Sequence, residues 1–187
     1  MDHKSLIQQI VAGDARAYEQ LVRQYQRMVY TVCMRVLRNA EDAEEATQDT
    51  FVKAYQHLAG FGGSAKLSTW LYSIAYRTAI SMGRRKRLDT VAAEDLAHPP
   101  AAPSTNEGHQ TELKRVLDRA LGQLEPEDAT ILSLYHLDEL SVEEIVTVTG
   151  LGASNVKVKL HRGRKKLQEV LTRQLGPEAH ALLFDHG

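Results

Sequence analysis

The sequence predicts an all-α protein of two small helical domains joined by a flexible linker, the C-terminal domain containing a helix-turn-helix. Three observations carry that expectation. Apolar residues recur at steps of three and four in both halves of the 187 residues, and nothing alternates convincingly with period two. Between the halves, the stretch from Leu88 to Glu112 holds Pro99, Pro100 and Pro103, three of the five prolines, without a sustained apolar period. Further on, Ser141 and Glu144 have capping-box spacing, and Gly150-Leu151-Gly152 separates two apolar-striped segments. The expected division is a domain at 1–88, a linker at 89–111, a domain at 112–175 and a tail at 176–187.

In the N-terminal half, Asp14 can cap a helix whose stripe is Leu21, Tyr25, Met28, Val32 and Val36. Residues Asn39 to Asp42 break that run and start a second helix, with Phe51, Ala54, Tyr55 and Leu58 as its core-facing edge. Early acids, with Lys53 and His57 placed later, suit its dipole. The glycine-rich turn at 60–64 follows, and Ser68 or Thr69 can cap the next helix, which is expected to end at the basic run 84–87. Three or four helices then form a bundle. Cys33 lies in the apolar run of the long helix and reads as inert core.

In the C-terminal half, residues 111–124 make one helix, and Pro126 stands at a favoured first position for another reaching Leu140. Two shorter helices follow. Val142, Ile145, Val146 and Thr149 supply the buried face of the first, and Leu151 can plug into the core from the glycine turn. Ser154 or Asn155 begins the second, where Val156, Leu160, Gly163, Leu167 and Val170 or Leu171 face inward.

Charge is balanced globally and segregated locally. Lys and Arg total 23 against 24 Asp and Glu, a formal net charge of −1, which excludes a wholesale polycation or an acidic solvating tail. Yet residues 41–49 carry five acids and no base, 84–87 read RRKR, and 157–166 carry six Lys or Arg and no acid. A single cysteine excludes an intrachain disulfide. The eight histidines have no metal-ligand spacing, and neither a phosphate-binding glycine loop nor a nucleophile elbow is present, so catalysis is not expected. No cofactor is implied. No apolar run reaches the roughly 18 residues of a membrane span, and the N-terminus lacks a signal core, so the expectation is a soluble, cytoplasmic chain without direct membrane insertion.

The outward face of the last helix has DNA-reading chemistry. Lys157, Lys159 and Arg162 can meet guanine or phosphate, Asn155 can meet adenine, and Val158 can touch a thymine methyl. Ser154 and the free amides of the helix start suit a phosphate, and Arg164, Lys165 and Lys166 extend the rim. In the N-terminal half, Trp70, Tyr72 and Tyr76 interleave with Lys66, Arg77, Arg84, Arg85, Lys86 and Arg87, the combination that holds single-stranded DNA. Trp70 also reads as a core anchor, and the 61–69 loop as a plain connector. The acidic block cannot face a phosphate backbone. Its continuation, Thr47, Gln48, Phe51, Val52 and Tyr55, suits a protein partner or the core.

Residues 42–61 and 68–80 resemble the second conserved region of bacterial sigma factors, and 124–171 resembles their fourth. The two-domain form resembles the extracytoplasmic-function, or group four, class of the sigma-70 superfamily. The resemblance implies a subunit that binds core RNA polymerase and recognises promoter DNA, duplex at −35 and single-stranded at −10, with an anti-sigma factor as a further partner. It assigns Asp42, Glu45, Gln48, Asp49, Phe51 and Val52 to polymerase binding. It assigns the loop Phe61, Gly62, Gly63, Ser64, Lys66, Ser68 and Thr69 to capture of a flipped −10 base. Trp70, Tyr72, Tyr76, Arg77, Ile80 and Arg84 fall on or beside the helix that melts and holds that element. Ser154, Asn155, Lys157, Val158, Lys159 and Arg162, with Arg164 beside them, fall to −35 recognition, and the linker to a path through the polymerase cleft.

Departures from the family pattern are Arg77 for asparagine, Ser81 for aspartate, Gly83 for a bulkier residue and Gly163 for alanine. The two glycines are expected to loosen their helices. Asn155, Val158 and Lys159 also differ from the commonest recognition-helix residues. A conventional helix-turn-helix regulator or a protein-only adaptor would share the C-terminal motif but would leave residues 42–80 unexplained.

Overall fold

The computed structural model describes residues 3–63, 65–92 and 112–175, and among them the regular structure is entirely helical. Ser64, most of the expected linker and the tail with Leu182, Leu183 and Phe184 lie outside the described residues. The helices form two compact clusters, α1 to α4 and α5 to α8.

The first cluster begins with α1 (His3–Val11), which buries Leu6 and Ile10, one turn apart. Asp14 caps α2 (Ala15–Leu37), its carboxylate accepting from the Arg16 and Ala17 amides at 2.9 and 3.2 Å. Such a cap is worth about 1 kcal/mol. The buried stripe of α2 is Ala17, Leu21, Tyr25, Val29, Val32 and Cys33. Val29 and Cys33 take the central places, and Met28 and Val36, expected there, are only half-buried. Each fully buried Leu or Val contributes about 1.5–3 kcal/mol. Burial pushes the Cys33 thiol up to about 11, against weaker lowering by hydrogen bonds from Thr47 and Thr50, so it stays protonated and unreactive at neutral pH.

Asn39 then caps α3 (Ala40–His57), accepting from the Asp42 amide at 3.0 Å. Ala43, Ala46, Thr50, Phe51 and Ala54 form its buried face. Tyr55, expected on that edge, is 52% exposed. It lies one position, about 100°, round the helix from Ala54, outside the stripe. A 3-10 turn at Leu58–Gly60 leads toward α4 (Leu67–Ala92). The first helical hydrogen bond of α4 runs from the Trp70 amide to the Lys66 carbonyl, so Ser68 and Thr69 sit inside its first turn instead of capping it. The helix also runs through the basic stretch 84–87, where it was expected to end, and into the first residues of the expected linker. Arg and Lys are good helix formers, and neither glycine nor proline intervenes between 84 and 92.

The second cluster contains α5 (Glu112–Gly122), α6 (Pro126–His136), α7 (Val142–Thr149) and α8 (Ala153–Leu175). Val116 and Ala120 of α5 pack with Val170, Leu171 and Leu167 of α8. α6 stops four residues short of Leu140, its last turn closed by the Leu137 and Asp138 amides on the Ser133 carbonyl. α8 is 23 residues long and runs past Val170 and Leu171, where the expected inward face stopped.

Gly163 explains how α6 and α8 pack. A β-carbon there would lie 2.8 Å from Leu132 Cδ1 and 3.0 Å from its Cγ. Leu132 is itself only 2% exposed and has little room to retreat. The glycine expected to loosen the helix is therefore what admits Leu132 against the α8 backbone. Gly83 is similar but milder, with Leu37 Cδ2 at 3.3 Å from such a β-carbon.

Gly163→Ala gains about 1 kcal/mol of helix propensity and incurs about 1–3 kcal/mol of overpacking, so net destabilisation of about 0–2 kcal/mol is expected. Denaturant unfolding of the full chain checks this. Adding Leu132→Val should show strong positive coupling, the double variant losing less than the sum of the single losses.

Candidate nucleic-acid interface

The helix-turn-helix is set by its caps. Ser141 Oγ accepts from the Glu144 amide at 3.1 Å, and Glu144 Oε2 accepts from the Ser141 amide at 2.9 Å. Gly150 ends α7 with φ of 77°, the left-handed geometry that glycine adopts without a β-carbon clash. Ile145 and Val148 are fully buried, whereas Val142, Val146 and Thr149 of the expected face are half-buried. Leu151, expected to plug the core, is also half-buried.

α8 starts just before the expected residue, its first bond running from the Val156 amide to the Gly152 carbonyl at 3.0 Å. Val156, Leu160, Gly163, Val170 and Leu171 face inward as expected, with Leu167 half-buried. Ser154, Asn155, Lys157, Val158 and Arg162 all face outward, Val158 being 45% exposed. This gives one helix face hydroxyl, amide, cationic and methyl groups at base-reading spacing.

Two cations depart from that pattern. Lys159 Nζ lies 2.6 Å from Glu127 Oε2 and 3.0 Å from Asp128 Oδ1, and its side chain is only 23% exposed. Burial disfavours its charge, but hydrogen bonds and attraction from Glu127 and Asp128 outweigh it and hold the ammonium above its ordinary range. Arg164 donates from Nε to His136 Nε2 at 3.0 Å and lies 5.3 Å from the Tyr135 ring centroid. Burial first, and then the Arg164 charge, lower the His136 pKa, keeping its ring the neutral acceptor.

In the first cluster, Arg77, Ile80, Ser81, Arg84 and Leu88 form an exposed stripe along α4 at helical spacing, with Arg85 and Arg87 beside it. Trp70 and Phe61 are half-buried and meet at 5.2 Å between ring centroids, tilted by 51°. Gly62, Gly63 and Lys66 are exposed and Ser68 is half-buried. Thr69, Tyr72 and Tyr76 are 2%, 5% and 4% exposed. All three are buried, where the expectation had them facing a base. Tyr72 and Tyr76 were read as stacking residues from composition, which does not say toward which side a ring points. Lys86 is drawn away from the stripe into an ion pair with Asp42.

That pair also occupies one of the acids assigned to polymerase binding. On α3, Glu45, Gln48 and Val52 are exposed and Asp49 is half-buried, whereas Phe51 is 7% exposed and belongs to the core. Tyr55 completes the outward face in its place. Gln48, Val52 and Tyr55 share the i, i+4, i+7 spacing that identifies one side of a helix. Tyr18 of α2 supports Tyr55 edge-on at 4.9 Å, and its hydroxyl donates to the Phe51 carbonyl. Burial, with Tyr55 adding to it, pushes the Tyr18 hydroxyl up to about 12.

Among the described residues no group of three His, Cys, Asp or Glu side chains is placed to hold a metal, and no helix is long and apolar enough to cross a membrane. The two clusters define a helical protein with a basic helix-turn-helix, a basic helix stripe and a separate acidic-amide face. Residues 21–88 match the family Sigma-70 region 2, and residues 114–167 match Sigma-70, region 4. The RNA polymerase sigma factor YlaC of Bacillus subtilis (strain 168) is 33% identical over 168 residues, covering 83% of this chain and 92% of that one. The ECF RNA polymerase sigma factor SigW of the same organism is 29% identical over 179 residues, covering 90% and 96%. Among solved structures, the sigma factor RpoE of Bartonella quintana, in complex with the anti-sigma factor NepR, superposes with a TM-score of 0.72 at 21% identity, covering 84% and 98%. The chain belongs to the extracytoplasmic-function class, group four, of the sigma-70 superfamily of RNA polymerase sigma factors. As a sigma factor it is not itself an enzyme.

The pH dependence of the second cluster follows from His136. Its folded pKa lies below the ordinary 6.5, so its contribution to stability is fully present above 6.5 and is lost as pH falls through the lower folded value. Thermal unfolding of the wild type and of His136→Asn across that window should give melting curves that diverge at high pH and converge at low pH.

Proposed function

We propose that the protein acts as an alternative sigma factor in the bacterial cytoplasm, bringing core RNA polymerase to promoters with two recognised elements. The outward face of α8 is the observation that carries this. Ser154, Asn155, Lys157, Val158 and Arg162 share one exposed face of a helix-turn-helix, suited to the major groove at −35. The α4 stripe, with Arg77, Ile80 and Arg84, then follows the non-template strand at −10, and the Phe61 loop holds an unpaired base beside Trp70. Trapping that base offsets part of an unstacking cost of a few kcal/mol and favours melting, while polymerase supplies the chemistry.

The polymerase-binding face is Glu45, Gln48, Asp49, Val52 and Tyr55 on α3. The functional boundaries are a first domain at 1–88, a linker at 89–111 threading the polymerase cleft, and a second domain at 112–175. An anti-sigma factor that covers these faces is the regulatory partner, a reading supported by the RpoE structure, solved in complex with the anti-sigma factor NepR.

Run-off transcription on fragments of the source genome, with purified core polymerase, tests the whole reading. Discrete start sites are expected only when the protein is added, and their absence with active core would overturn it. On a promoter so found, Lys157→Ala with Arg162→Ala should reduce initiation at least tenfold, as expected if each lost contact is worth about 1–3 kcal/mol, with core binding intact. Gln48→Ala with Asp49→Ala should instead weaken core affinity at unchanged helicity. Unaltered core affinity would remove α3 from that role.

A further inference from the structure

The acid pair at the start of α6 has no part in the reading above. Glu127 and Asp128 occupy the first turn of α6, where acids suit the helix dipole, yet both carboxylates are turned onto Lys159 of α8, at 2.6 and 3.0 Å. Lys159 lies within the base-reading stretch, between Asn155 and Arg162, but is withdrawn while Lys157 and Val158 beside it are exposed. The packing enforces this register. Asp128 precedes Leu132 by one turn on α6, Lys159 precedes Gly163 by one turn on α8, and Leu132 sits directly against Gly163.

We propose that Glu127 and Asp128 are positioning residues that withhold Lys159 from the DNA backbone and thereby set the specificity of the recognition helix. The inference rests on the reading of α8 as the DNA-facing helix. A lysine on phosphate adds affinity for every sequence alike, because it releases counterions without touching a base edge. Discrimination then falls to Asn155, Lys157, Val158 and Arg162, whose groups remain outward.

The test is fluorescence anisotropy of the full chain on a labelled random-sequence DNA duplex, titrated across roughly 50–200 mM salt, the range in which phosphate contacts are resolved. Glu127→Gln with Asp128→Asn should bind more tightly, with a log–log salt slope steeper by about 0.9, one additional phosphate contact. Adding Lys159→Met to that pair should return most of the gain. No gain in the double variant overturns the proposal. A gain that survives Lys159→Met also overturns it, since the lost acid charges alone would then account for the effect. The single variants Glu127→Gln and Asp128→Asn, gentler on the fold, should shift binding in the same direction, and circular dichroism verifies each. Lys157→Ala with Arg162→Ala separates the underlying reading: a slope shallower than the wild type's sustains α8 as the DNA-facing helix, and an unchanged slope removes that reading and the proposal together.

Discussion

The missing β-carbon at Gly163 sets how α8 lies on α6, and the electrostatics of the recognition helix follow from that contact. With Leu132 against the α8 backbone, the two helices are held in one register along their length. One turn toward the start of α6, Asp128 then meets Lys159; at its end, His136 meets Arg164. A slip of one residue would turn each side chain by about 100° and break both pairings. Close packing of apolar atoms thus decides which cations are tied to α6 and which face outward, a choice that charge alone would not make.

The first cluster shows the same dependence in another form. Its interior is filled by stripes on α2, α3 and α4, and the aromatic residues divide according to which side of a helix they occupy. Tyr72 and Tyr76 are buried, while Tyr55 stands outside on an edge-to-face support from Tyr18. Lys86 and Asp42 tie the basic end of α4 to the acidic start of α3. That pair is partly exposed, and such pairs contribute only about 0–1 kcal/mol. Its larger effect is on which charges remain in the two surfaces.

Much of this was legible in the sequence. The caps at Asp14, Asn39 and Ser141 and the turn at Gly150 depend on local chemistry, and each appears where its side chain or its lack of one requires. The inward positions of α8 followed from a period of 3.6 residues. Helix ends were less legible: Ser68 and Ser154 resemble caps, but the helices begin earlier, at Leu67 and Ala153, and Arg84 to Arg87 continue a helix they seemed to close. The direction of an aromatic ring at a stripe boundary was not legible, because one position of helical phase separates Ala54 from Tyr55 and burial from exposure.

The sequence by itself determined the helices, their two groups, the helix-turn-helix and the segregation of charge, because all of these arise from spacing and composition within short windows. Only the tertiary structure decided that Gly163 is a packing requirement, that Phe51, Tyr72 and Tyr76 are interior, and that Lys159 is held by acids some thirty residues earlier. Those outcomes depend on distances between helices. A distance between helices is set by side-chain volumes meeting across an interface, and no window along the chain contains both sides of it.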